Sequence, residues 1–233
     1  MKNSCSLSII VPAYNEEANI IQILSKVQAQ KIEGLEIEVI VVDDGSSDRT
    51  VEYLEANSVL FSRLIKMNKN AGKGAAVKAG LGCATGDYIL FQDADLEYNP
   101  AEYRKLVQPV FEYEADIVIG SRFLAPEVTR VAYFWNKVGN RLITLIFNVL
   151  YNTTFTDIYS CYLLFRRDLL ETNQLKTRGW EQQAEILSRT VKNAKSIYEV
   201  PISYHGRTIE EGKKIRARHI FSVIWTMISL RLF

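Results

Sequence analysis

The sequence predicts an α/β fold on a mostly parallel central sheet with helices on both faces. Short, almost wholly apolar runs recur at residues 7–11, 37–42, 64–67, 88–91 and 117–119. Segments with helical apolar spacing separate them. Each polar cluster of this half sits at the end of a run, as strands buried on both faces require.

The elements follow in order. The first run stops at Pro12, and Asn15 or Glu16 opens a helix carrying Ile20, Ile21, Ile23, Leu24 and Val27 at helical intervals. The second run ends at Asp43-Asp44-Gly45-Ser46, after which Ser47 or Asp48 caps a helix through Leu54. An alanine-rich helix spans 74–84, and the fourth run leads into Asp93-Ala94-Asp95. Pro100 suits the first turn of a helix ending near Tyr113, and the fifth run ends at Gly120-Ser121-Arg122. The helix predicted over 134–151 is apolar around most of its circumference, which predicts burial. A strand over 159–165, a helix over 180–191 and a strand over 196–200 follow. Beyond a main domain of residues 1–212, the tail 213–233 is basic first (Lys213, Lys214, Arg216, Arg218) and apolar afterwards (Ile220, Phe221, Trp225), an order expected of a membrane-interface helix.

With 233 residues, 48% of them hydrophobic, the chain can bury a full core, which excludes disorder. Lys plus Arg number 28 and Asp plus Glu 27, a balance that predicts no nucleic-acid partner. Cys5, Cys83 and Cys161 are too far apart for a zinc cage or disulfide framework and fit a reducing cytosol. The start at Met1-Lys2-Asn3-Ser4 predicts no signal peptide, and no apolar stretch is long enough to predict a membrane span.

Open α/β sheets bind ligands beyond the carboxyl ends of their strands, so the polar clusters are expected to converge. Asp93, Asp95 and Glu97 alternate after a strand, and on an extended chain all three would face one pocket. A hard divalent cation, Mg²⁺ or Mn²⁺, would relieve their repulsion. Asp43 is the candidate for hydrogen bonding a nucleobase or ribose, while Ser46 to Asp48 form the turn and cap. Asn70-Ala71-Gly72-Lys73-Gly74 lacks the spacing of a phosphate-binding P-loop. Neither a dinucleotide fingerprint nor a nucleophile elbow is present, which argues against a dehydrogenase or a serine hydrolase.

Five ordered motifs resemble those of family 2 glycosyltransferases: Pro12 to Glu17, Val42 to Asp48, Asn70 to Gly74, Asp93 to Leu96, and Gly120-Ser121-Arg122. Asp157, Cys161-Tyr162, Phe165-Arg166, Tyr204-x-x-Arg207 and Gly212-Lys213 resemble the dolichyl/polyprenyl-phosphate mannose synthase branch. The resemblance implies a GT-A fold and an inverting transfer of a hexose from a nucleotide sugar to a lipid phosphate, on the cytosolic face of a membrane. GDP-mannose is the first donor it suggests and UDP-glucose the second. By position, Pro12, Tyr14, Glu16 and Asp43 would hold the nucleoside. Asp93 and Ala94 would line the sugar-nucleotide site, and Asp95 and Glu97 would bind the metal. Arg122, Arg178, Arg207 and Lys213 would surround the phosphates, Asp95 and Arg207 being the catalytic members. Two positions depart from the branch: Glu97 stands where Gln is common, and Leu163 where a basic residue is common.

A phosphate-monoester acceptor, with a second pKa near 6, is already nucleophilic at neutral pH. A hydroxyl acceptor on a glycan, the rival reading, needs a base, for which Asp157 is the candidate; pairing with an Arg is its alternative role. A nucleotide-binding regulatory module is a third reading, opposed by the intact acidic and basic positions.

Overall fold

Strand β1 (Cys5–Ala13) carries Leu7, Ile9, Ile10 and Val11, all fully buried. Neighbouring residues of a strand face opposite sides, so both faces of the sheet are covered here. The computed structural model describes residues 4–124, 134–206 and 219–232. β1 pairs in parallel with β2 (Leu35–Asp43) and β4 (Tyr88–Phe91). β3 (Arg63–Lys66) flanks β2. Beyond β4 lie β6 (Leu163–Arg166), β5 (Ile117–Ser121) and β7 (Ile197–Pro201), in the order β3-β2-β1-β4-β6-β5-β7. Among the described residues, β6 alone runs antiparallel to its neighbours.

The helices are α1 (Ile20–Gln28), α2 (Thr50–Ala56), α3 (Lys73–Leu81), α4 (Tyr103–Tyr113), α5 (Phe134–Tyr151), α6 (Gln182–Asn193) and α7 (His219–Leu232). A turn of 3-10 helix, Pro100–Glu102, leads into α4, with Asn99 Oδ1 accepting from the Ala101 amide. α3 packs on β1 and β2, where Gly80 is required: a Cβ there would lie 2.5 Å from the Ile10 side chain.

Three expectations need correction. α1 begins at Ile20, because Asn15 adopts left-handed backbone (φ 53°) and spends its side chain on the loop after β2. The strand expected over 159–165 is confined to Leu163–Arg166. The residues before it form a loop, with Tyr159 O accepting from Arg122 and Cys161 N donating to the Tyr98 hydroxyl. α5 is not buried all round: Ile143, Phe147 and Tyr151 face the core, while Trp135 (78% exposed), Leu145 and Val149 face outward. The tail expected as a membrane-interface helix contains α7, which packs on α5 and α6 through Val223 and Met227, the Tyr151 hydroxyl donating to Met227 O at 3.1 Å, and leaves Phe221 and Trp225 exposed. Its basic run, Lys213 to Arg218, lies outside the described residues. No helix among the described residues is long and apolar enough to cross a membrane.

Candidate active site

The carboxyl ends of β1, β2, β4 and β5 open onto one cavity of about 440 Å³. Two glycine-bearing loops are stitched together at its β1–β2 end. Asp43 Oδ2 accepts from the amides of Gly45 and Ser46, each at 3.1 Å. Gly45 sits at φ 70°, and a Cβ there would lie 2.6 Å from the Lys69 backbone. Asp44 turns the other way, its two oxygens accepting from Ala71 N (2.8 Å) and Gly72 N (2.9 Å). Gly72, at φ 95°, leaves room for the Arg178 carbonyl, which accepts from Gly74 N at 2.9 Å. Asn15 closes the β1 side, taking Ser47 N on its Oδ1 and giving its own N–H to Ser46 Oγ.

The acidic segment after β4 bends instead of continuing the strand. Asp93 pairs with the Lys73 ammonium at the start of α3. Burial works against the Lys73 charge, but Asp93 outweighs it and holds the lysine pKa above its usual value. Asp95 Oδ1 accepts from Glu97 N at 3.0 Å, and Glu97 Oε2 accepts from the Tyr204 hydroxyl at 2.8 Å. Asp95 and Glu97 present oxygen donors to the cavity. Such a pair suits Mg²⁺ or Mn²⁺, which take one or two protein carboxylates and complete their shell with substrate phosphates and water.

At the end of β5, Arg122 is clamped by Asp157 through Nε–Oδ2 (2.7 Å) and Nη2–Oδ1 (2.9 Å). The guanidinium also donates to Tyr159 O and lies 5.0 Å from the centre of the Tyr204 ring. Its burial opposes the charge; Asp157 and the nearby phenols more than offset that, so its pKa is raised further. Cys161 also lines the cavity, and burial, then the Asp93 charge, push its thiol pKa well up. It is a neutral wall residue, since the thiolate is the reactive form.

A family model described as Glycosyl transferase family 2 matches residues 8–173, a span that contains every one of these strand ends. The chain belongs to glycosyl transferase family 2. This family 2 chain is 33% identical over 205 residues to the low-salt glycan biosynthesis hexosyltransferase Agl6 of Haloferax volcanii, covering 87% of the chain and 48% of that protein. It is 29% identical to the dolichol-phosphate mannosyltransferase of Pyrococcus furiosus (94% and 61% covered). It is 30% identical to the dolichyl-phosphate beta-glucosyltransferase of Saccharomyces cerevisiae (85% and 66% covered). The chain thus spans about half to two thirds of the length of these relatives. A crystal structure of glucosyl-3-phosphoglycerate synthase from Mycobacterium tuberculosis, in complex with Mn²⁺, UDP and phosphoglyceric acid, superposes with a TM-score of 0.73 at 21% identity. The match covers 100% of this chain and 80% of that one, a likeness of GT-A fold.

Of the residues expected from sequence, Pro12, Tyr14, Glu16, Asp93, Ala94, Asp95, Glu97 and Arg122 line the cavity. Asp43 stands behind the wall, 2% exposed, and makes the turn that had been expected of Ser46 to Asp48; its Oδ1 has no partner among the described residues. Asp48 does serve α2, its Oδ1 accepting from Thr50 N. Arg178 contributes its carbonyl to the wall-forming strap, while the residue itself is exposed. Asp157 is a correction as a base: it is fully buried, off the cavity wall, with both oxygens committed to Arg122. Arg207 and Lys213 lie outside the described residues.

Asp44 and Tyr204, members of the motifs above without an assigned role, also line the cavity, as do Trp180, Gln182 and Gln183, which the sequence did not single out. For the strap 178–183, Gly179 followed by Trp180 just before a helix was the available signal.

Proposed function

We propose that the chain transfers a hexose, with inversion, from a nucleotide sugar to a polyprenyl phosphate at a membrane surface. The observation that carries this reading is that Asp95, Glu97 and Arg122, from two different strand ends, share one cavity with the nucleoside end of β1 and β2. Relatives that act on dolichol and dolichyl phosphate support the lipid acceptor. One is a mannosyltransferase and one a glucosyltransferase, so GDP-mannose stands as the first donor to test and UDP-glucose as the second.

In this reading Pro12, Tyr14 and Glu16 hold the nucleoside, Asp43 fixes the loop behind them, and Asp93 and Ala94 line the sugar-nucleotide site. Asp95 and Glu97 hold Mg²⁺ or Mn²⁺, which when bound neutralises charge on the diphosphate. Arg122, fixed by Asp157, offers a pre-oriented cation toward the departing diphosphate, and such fixed charge needs no reorganisation during reaction. Arg178, Arg207 and Lys213 complete the cationic set. The acceptor phosphate arrives ionised, so no protein base is required, in keeping with the engagement of Asp157.

Peripheral contact with a membrane on its cytosolic face belongs to the same reading. α5 and α7 contain no Asp or Glu, and each turns an apolar stripe outward, with Trp135 and Leu145 on one and Phe221 and Trp225 on the other. Interfacial helices that favour anionic lipid combine such features.

The test is incorporation of radiolabelled hexose from GDP-mannose or UDP-glucose into an organic-extractable product, with polyprenyl phosphate and Mn²⁺ supplied. Lipid-soluble label from one donor is expected. Label reaching only water-soluble glycan, or no turnover with either donor, overturns the reading.

A further inference from the structure

We propose that Gln182 reads a hydroxyl of the transferred sugar; the inference rests on the nucleotide-sugar reading above and deepens it. Gln182 opens α6, lines the cavity and is 4% exposed. Three buried side-chain polar atoms among the described residues lack a partner, Asp43 Oδ1, Gln182 Nε2 and Ser188 Oγ, and of these residues Gln182 alone is on the cavity wall. Buried amides left unpaired are rare in native folds, because the desolvation cost is not recovered. A ligand oxygen in the cavity recovers it.

Several groups around Gln182 are already engaged. Gln183 Nε2 donates to Ile158 O at 3.2 Å and also to Ser160 O. The Trp180 carbonyl accepts from the Tyr159 hydroxyl, and Glu185 is saturated by Thr177, Lys176 N and Arg189. These contacts hold the strap rigid at both ends, from Arg178 O on Gly74 N to Gln183 on the loop before β6. Along the cavity wall the strap runs from the start of α3, where Lys73 pairs with Asp93, to the loop before β6, two strands away from β1 in the sheet and on the far side of it from β2. A sugar attached beyond the diphosphate lies on that side. A primary amide donates and accepts at once, as a hydroxyl does, and Trp180 beside it supplies an apolar ring for the sugar face.

The experiment is calorimetric titration of the full chain with Mn²⁺ present, using GDP, GDP-mannose, UDP and UDP-glucose, on wild type and Gln182→Met. Wild type is expected to bind one nucleotide sugar more tightly than its nucleoside diphosphate. Gln182→Met is expected to lose about ten- to a hundredfold in affinity for the nucleotide sugar while its affinity for the diphosphate stays within about twofold. If thermal melts show that Gln182→Met does not fold, Gln182→Asn, which keeps the amide but draws it back by one carbon, is expected to show the same selective loss. Equal loss on sugar and diphosphate, or no loss on either, overturns the role of Gln182 alone. Wild type binding neither diphosphate overturns the donor reading together with it.

Discussion

The Tyr204 hydroxyl donates to Glu97 Oε2 at 2.8 Å, while its ring lies beneath the Arg122 guanidinium and against Tyr98. One side chain from beyond β7 thus ties an acidic cavity residue to a basic one. The next backbone contact, His205 N to Glu97 O at 3.0 Å, fixes the same crossing. Burial, then the Glu97 charge, push the Tyr204 phenol pKa up, so it remains a donor at any working pH. Tyr204→Phe is expected to weaken activation by Mn²⁺ by roughly tenfold, as loss of a group orienting a metal ligand does. Metal-dependence curves of initial rate check this; an unchanged half-saturation concentration would mean that Glu97 needs no such orientation.

Asp157→Ala strips the partner from an arginine whose side chain is 13% exposed. Breaking a buried pair in this way costs about 3–5 kcal/mol. A marked fall in Tm is expected together with the loss of turnover. A variant with wild-type Tm and a shifted acid limb of the pH–rate profile would restore Asp157 as a general base.

Gln92 is fully buried beneath the acidic segment, accepting from the hydroxyls of Tyr103 (2.7 Å) and Tyr162 (2.9 Å) and donating to Asp93 O at 3.0 Å. Gln92→Met leaves two phenols unpaired, at about 1–3 kcal/mol each. Denaturant unfolding should show a loss of that order. Gln92→Glu keeps the acceptor for both phenols, and is expected to recover most of the stability but not the donor to Asp93.

Glu185 anchors the residues just before the strap, accepting from Lys176 N, Thr177 and Arg189. Burial opposes its charge, but hydrogen bonds from Thr177, the Lys176 amide and Arg189 hold its pKa below the ordinary glutamate value. A carboxylate whose folded pKa is lowered stabilises the fold above its unfolded pKa, and that contribution disappears as pH falls through the folded pKa. Tm is therefore expected to decline below about pH 4.5, and Glu185→Gln should flatten that decline while lowering Tm at neutral pH. A parallel decline in both proteins would remove Glu185 from the account.

Trp135→Ser combined with Trp225→Ser changes two exposed rings and no core contact of α7, unlike deletion of the helix, which would remove the buried Val223 and Met227. Sedimentation with vesicles containing anionic lipid should fall several-fold, with turnover on a detergent-soluble acceptor preserved. Equal binding by variant and wild type would show that these faces are covered by something other than lipid.

The alternation of buried strands and amphipathic helices was legible because period and polarity are local properties. So were the strand-end motifs, since a polar cluster terminating an apolar run marks the carboxyl edge of a sheet wherever the strand lies. Eight of the expected residues reached one cavity for that reason. Partner choice was not legible. Asp157 is 35 residues from Arg122, Tyr204 is 107 from Glu97, and the strap 178–183 meets the start of α3 across a similar distance. A carboxylate in isolation reads equally as base, metal ligand or clamp; burial and the nearest cation decide, and both arise only when distant segments pack. The same holds for α5 and α7, whose composition predicts apolar helices. Which stripe turns inward was settled by tertiary packing, because each helix offers more apolar surface than its neighbours can cover.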